Sequence, residues 1–156
     1  MTTITRQLQF DYGHRVLGHG GRCRHLHGHR GVAEITVQAP ELNDLGMVVD
    51  FSLVKELVGG WIDKTLDHNM LLHQDDPLLE LTKATPKGFQ SKAYIEVFGG
   101  RPPFVMPTGN PTAENIAQVI YQKAEELLAP RGLTVVLVRL FETPNCWADY
   151  RPNRVQ

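Results

Sequence analysis

Two runs of alternating apolar and polar residues, joined by a glycine-bearing loop, constrain this chain more than any other feature. From Thr3 to His14, Ile4, Leu8, Phe10 and Tyr12 share one parity, and Thr5, Gln7, Gln9 and Asp11 the other. Only Arg6 breaks the apolar face. From Gly31 to Ala39, Gly31, Ala33, Ile35, Val37 and Ala39 oppose Val32, Glu34, Thr36 and Gln38. Period-two alternation predicts two half-buried strands. Gly18, Gly20 and Gly21 mark the connection as irregular, so the strands are expected to pair antiparallel across it.

The connection is also chemically unusual. Five of the seven histidines lie between His14 and His29. No Asp or Glu occurs from Tyr12 to Ala33, while Arg15, Arg22, Arg24 and Arg30 do. Such a patch points to a metal, an anion, or both. By parity His14 continues the apolar face of the first strand, and His27 and His29 that of the second. Paired strands then bring three inward-pointing imidazoles to one end of the hairpin. Three neutral imidazoles leave a coordination position open on Zn²⁺, as a catalytic site needs; zinc is favoured over iron or copper.

Other elements follow from caps and helical spacing. Asp50 is expected to cap a helix to about Leu66, with Val54, Leu57, Val58, Trp61, Ile62 and Thr65 on its apolar side despite Gly59 and Gly60. A second helix follows Asn110 as cap and Pro111 in the first turn, with the stripe Ile116, Val119, Ile120, Ala124, Leu127 and Leu128. Pro130 and Gly132 end it. Leu133 to Thr143 reads as a buried strand and Trp147 to Arg151 as a short one. The stretch 73–109 is a long proline-punctuated excursion in which only Ala93 to Phe98 looks strand-like, with a hairpin as one possibility. The 156 residues form one domain, 1–156, with order strand, strand, helix, excursion, helix, strand, strand.

Composition excludes several classes. A formal net charge of −1 gives no global field for nucleic acid or an anionic membrane. The densest apolar run, Val135 to Val138, falls far short of a membrane span, and the first ten residues lack a signal-peptide layout. Two cysteines without a C-x-x-C pattern make no disulfide framework. A cytoplasmic enzyme or binding domain is expected.

Several side chains join the imidazoles as candidates. Cys23 lies four residues before His27 in the basic loop, where a thiol beside a metal or arginine serves as a base near neutrality. A Gly- and Arg-rich loop is a poor place for a buried, inert thiol; a fourth metal ligand is the other reading, with proton transfer favoured over it. Asp67 can orient His68 and support its cationic form, although neighbours in sequence need not touch. Glu142 extends the face of Val136, Val138 and Leu140. A carboxylate there needs a partner, either an arginine or a ligand edge with two parallel N–H donors, as in a pterin or purine. Thr112 and Glu114 stand in the first turn of the second helix, where an acid also suits the helix dipole. Arg15, Arg22, Arg24 and His25 could bind phosphates or be solvated surface charges.

These pieces occur in a recognisable order. F-D-Y-G-H (Phe10 to His14), C-R-H-L-H-G-H (Cys23 to His29), G-M-V-V-D-F (Gly46 to Phe51), L-D-H-N (Leu66 to Asn69), N-P-T-A-E-N (Asn110 to Asn115) and F-E-T-P (Phe141 to Pro144) resemble the 6-pyruvoyl- and 6-carboxy-tetrahydropterin synthase family over residues 3–72 and 108–151. The three-residue gap between Cys23 and His27 is similar to the bacterial carboxy-tetrahydropterin branch. The resemblance implies an α+β tunnelling fold (T-fold) of ββααββ order: an antiparallel sheet with two helices on one face, assembled as trimers or dimers of trimers that close a barrel, with active sites between subunits. It implies Zn²⁺ on His14, His27 and His29, proton transfer by Cys23, Asp67 and His68, and a pterin ring held by Glu142, with Thr112 nearby. Glu114 and Arg24 are further candidates for substrate contact. The implied substrate is 7,8-dihydroneopterin triphosphate. The implied products are 6-carboxy-tetrahydropterin, acetaldehyde and triphosphate, on the queuosine route. The excursion 73–109 is longer than the resemblance implies and could cover the pocket. Pyruvoyl formation is the alternative reaction, and a non-catalytic metal- or pterin-binding relative the alternative role. A cupin barrel matches Gly21, His27, His29 and Glu34 but lacks that motif's closing glycine, where Glu41 stands, and has no place for the helix after Asn110.

Overall fold

β1 (Thr3–His14) and β2 (His27–Gln38) pair antiparallel along their whole lengths, from Thr3 opposite Gln38 to His14 opposite His27. The computed structural model describes residues 1–83, 88 and 90–152; residues 84–87 and 89, inside the excursion, and 153–156, at the end of the expected domain, lie outside the described residues. β5 (Thr134–Thr143) adds antiparallel to β2, and β6 (Cys146–Tyr150) to β5. This antiparallel unit is the one that the alternation predicts. Leu8, Phe10, Tyr12 and His14 of β1 and Ala33, Ile35 and Val37 of β2 are buried, as their parity requires. In β5 the parity slips. A register shift opposite Thr36 and Val37 buries Val135 rather than Val136, while Val138 and Leu140 keep the inward face.

The helices cover that face. Asp50 caps α1 (Phe51–Val54) by accepting from the Ser52 N–H. The chain continues through a π-turn, Lys55–Gly59, into α2 (Gly60–Thr65). Val54, Val58, Ile62 and Leu66 are fully buried on one side. The wide turn falls where Leu8 approaches: a Cβ on Gly59 would sit 3.2 Å from a Leu8 methyl. α4 (Ala113–Leu128) buries Ile116, Val119, Ile120, Ala124 and Leu128, but Leu127 only partly. Its cap is Thr112, whose hydroxyl accepts from the Asn115 N–H, and not Asn110. Asn110 is committed elsewhere. Its amide brackets the backbone N–H and C=O of Leu17 at 2.7 and 3.0 Å.

The excursion corrects two further expectations. Lys92–Phe98 is a helix, α3, and not a strand: Ser91 caps it, and Gly99 ends it in the left-handed region at φ 61°. β3 (Asn69–Leu72) runs parallel to β1, and β4 (Phe104–Val105) parallel to β3. The sheet is therefore mixed and six-stranded, in the order β4-β3-β1-β2-β5-β6. Where the excursion begins, buried Asp76 receives two hydrogen bonds from Arg15, which binds it to the end of β1. Among the described residues no helix is long and apolar enough to cross a membrane.

Candidate metal centre and flanking clefts

The register of β1 and β2 sets His14 directly opposite His27, with His29 one inward position further along β2. Between the two β2 histidines stands Gly28, where a Cβ would lie 3.0 Å from the Tyr12 carbonyl oxygen. The spacer lets the strands close at the point where the rings meet. One ligand atom from each imidazole lies within 4.8 Å of the others. His14 is buried and the other two are half-buried.

The hydrogen bonds decide which nitrogens face one another. His14 Nδ1 lies 2.7 Å from the carbonyl oxygen of Pro111, and His27 Nδ1 lies 2.7 Å from that of His25. A carbonyl only accepts, so both Nδ1 atoms carry the proton and both Nε2 atoms present lone pairs. Those two Nε2 atoms are 3.0 Å apart. Two lone pairs at that distance suit a cation between them. A shared proton would make one ring cationic, and burial holds His14 below its ordinary range. Burial depresses His29 likewise, and its Nε2 is buried with no hydrogen-bond partner among the described residues. Tetrahedral Zn–N bonds of about 2.0–2.1 Å place nitrogen donors roughly 3.3 Å apart, close to this arrangement. A divalent ion fits these residues.

Glu142 reaches the same point from β5. Its Oε1 lies 3.6 Å from His14 Nε2 and 3.8 Å from His29 Nε2. Its carboxylate thus faces the imidazoles and not an arginine. The Tyr12 ring packs edge-on to His14, and its buried hydroxyl has no hydrogen-bond partner among the described residues. Burial first, and the Glu142 charge second, raise the Tyr12 pKa above its usual range, so it is a neutral phenol.

Two clefts open on either side of the rings. One, of about 280 Å³, is lined by His14, Cys23, Thr112, Glu114 and Glu142, with Trp147 beyond. Cys23, Thr112, Glu114 and Glu142 are thus brought together as candidates, although the Thr112 hydroxyl also serves the helix cap. The other, of about 650 Å³, is lined by His27, His29, His68, Met70, Val97 and Phe98. Asp67 and His68 do touch, with His68 Nδ1 2.7 Å from Asp67 Oδ2. That contact raises the His68 pKa. Burial pulls Asp67 upward, but hydrogen bonds from the Asp11 N–H and from His68 outweigh it, and the carboxyl ends below its ordinary range. Cys23 and His68 therefore stand in different clefts of one chain. Arg24 lines neither; it opens on a third cleft with Arg15, His19 and His25. Arg15, a candidate for phosphate, is taken by Asp76.

Sequence reasoning overlooked the carbonyls of Pro111 and His25. No side-chain pattern marks a carbonyl as a functional group, although N-P-T and H-L-H did mark the segments that supply them.

A tunnelling fold carrying three convergent imidazoles defines a class of tetrahydropterin synthases, and the comparisons agree. Residues 3–153 match the model of the family described as 6-pyruvoyl tetrahydropterin synthase, and the chain belongs to that family. It is 42% identical over 152 residues to the 6-carboxy-5,6,7,8-tetrahydropterin synthase of Rickettsia bellii, covering 96% of this chain and 99% of that one. It is 30% identical over 167 residues to the protein of the same name from Aquifex aeolicus, at 95% and 96% coverage. Among solved structures, an uncharacterised protein of Wolinella succinogenes superposes with a TM-score of 0.79 at 27% identity, covering 97% of this chain and 98% of that one. The 6-pyruvoyl tetrahydropterin synthase of Caenorhabditis elegans shares the fold, with a TM-score of 0.65 at 21% identity and coverage of 97% and 96%.

Proposed function

We propose that this chain is a zinc-dependent 6-carboxy-tetrahydropterin synthase. It converts 7,8-dihydroneopterin triphosphate and water to 6-carboxy-5,6,7,8-tetrahydropterin, acetaldehyde and triphosphate, in the cytoplasm and on the route to queuosine. The observation that carries the reading is the pair of lone-pair-bearing Nε2 atoms 3.0 Å apart, with a third imidazole beside them whose Nε2 is orphaned. The names of the relatives support the substrate class.

His14, His27 and His29 hold the zinc, which supplies Lewis acidity toward the hydroxyls of the substrate side chain when bound. Pro111 and His25 fix the ring orientations through their carbonyls. Glu142 holds the N–H edge of the pterin. Cys23 moves protons on one side of the side chain. His68, kept protonated by Asp67, gives and takes them on the other. Cys23 and His68 occupy separate clefts, so we propose that a working site combines Cys23 of one copy with Asp67 and His68 of another, within a trimer or a dimer of trimers.

Incubation of the purified protein with 7,8-dihydroneopterin triphosphate tests the reading. Acetaldehyde and carboxy-tetrahydropterin are the expected products. Triphosphate release with a pyruvoyl product and no acetaldehyde would reassign the chain to the other reaction. No turnover by a fully metal-loaded protein would overturn both.

A further inference from the structure

His68 adopts a backbone conformation that its side chain disfavours. Its φ is 51°, the only positive value at a non-glycine among the described residues. A left-handed residue with a Cβ is disfavoured and persists only where its surroundings hold it. Two ties come from β1: the His68 N–H donates to the Asp11 carbonyl at 2.6 Å, and the Asp11 N–H donates to Asp67 Oδ1 at 2.8 Å. Two more come from the excursion. Arg101, just beyond α3, donates through Nη1 to the Asp67 carbonyl and through Nη2 to the Lys64 carbonyl, each at 2.7 Å. Both acceptors belong to the end of α2 and the turn after it, where helical carbonyls lack partners. One planar fork therefore spans the last helical turn and the peptide that enters His68.

We infer that Arg101 is a positioning residue for the Asp67–His68 pair, and that the excursion serves as a brace on that turn. The inference rests on the proposed proton-transfer role of His68. It accounts for a segment that the motifs leave unused: the excursion is bound to the body by Asp76 at its start and by Arg101 near its end, while Val97 and Phe98 line the cleft that His68 enters. A brace also differs from a bystander charge in a measurable sign. The charged groups that face His68 are Asp67, Asp11 and Arg101; the two carboxylates raise its pKa and the guanidinium lowers it. Loss of a mere cation raises the His68 pKa. Loss of a brace lets the ring leave Asp67 and lowers it.

The test is an NMR titration of the His68 ring in the full-length, metal-loaded protein, comparing wild type, R101Q and R101K. The expected result is a downward shift in both variants, larger in R101K, which keeps the charge but cannot span two carbonyls, than in R101Q, where loss of the cation partly offsets it. An unchanged or raised value in R101Q overturns the inference. If R101Q does not fold, R101K decides alone, and a wild-type titration there overturns it. In turnover, R101Q is expected to lose about tenfold or more in kcat, with KM within roughly threefold and metal content unchanged. Wild-type kcat in R101Q overturns the inference as well. Failure of the wild type to act on the pterin triphosphate instead removes the proposed reaction, and the titration still decides the role of Arg101.

Discussion

At the scale of single residues, parity alone identified the three imidazoles, because side chains two apart on a strand share a face and that face was already apolar. It could not show what holds them. The Pro111 carbonyl is 97 residues away from His14 in sequence. It could not show either that Glu142 meets the rings, since an inward carboxylate has many possible partners. Replacing His27 with alanine is expected to abolish stoichiometric zinc binding, measured by metal analysis after dialysis. Glu142→Ala is expected to keep the metal and weaken pterin binding by about tenfold or more, as loss of a charged hydrogen-bonding partner does; unchanged affinity in a binding titration would leave Glu142 without that role. Cys23→Ala is expected to keep zinc and lose turnover. The pH dependence has a definite sign. Burial holds His14 and His29 below the ordinary imidazole value of 6.5, so protonation of these two rings competes with a metal on the acid side of that value. His68 is raised, so its contribution to stability is full below about 6.5 and fades as pH rises through its folded value. Asp67 is lowered, so its share is present above about 3.8 and fades as pH falls through its folded value.

At the scale of elements, long periodic segments were readable and short ones were not. β1, β2 and α4 each repeat their pattern enough to fix type and face, and β5 enough to fix its type, its inward face slipping at the bulge beside Val135. β3 and β4 have four and two residues and take their strand character from the neighbours they pair with, which no local pattern encodes. α3 was misread because β-branched and aromatic residues within Ala93–Phe98 suggest a strand, whereas Ser91 and Gly99 at its ends supply both helix caps. The Asn110 cap failed because its amide is committed to the Leu17 backbone, and Thr112, one residue after the proline, caps the helix instead. Thr112→Ala is expected to destabilise the fold by about 1 kcal/mol, read from chemical denaturation. Ile120→Ala, at a fully buried position of α4, is expected to cost roughly 2–5 kcal/mol. If Thr112→Ala also lowers zinc affinity, the helix start and the Pro111 carbonyl are coupled; unchanged affinity shows that the carbonyl is held by Asn110 and its neighbours alone.

At the scale of the whole molecule, the imidazoles stand between two clefts, one holding Cys23 and the other His68. The resemblance placed both residues in one reaction, at active sites between subunits. Mixing two inactive variants decides it. Cys23→Ala and His68→Ala subunits, unfolded and reassembled together, are expected to recover about a quarter of wild-type activity in a cyclic assembly with sites shared between neighbours. A site complete within one chain gives no recovery. The bond from Pro111 to His14 has a consequence in time as well as in space. When the ribosome has made the first hundred residues, all three imidazoles exist, yet the carbonyl that turns the first of them has not been synthesised. On the proposed metal role, the fully oriented set of donors therefore forms only once the chain as far as Pro111 has been made and has docked.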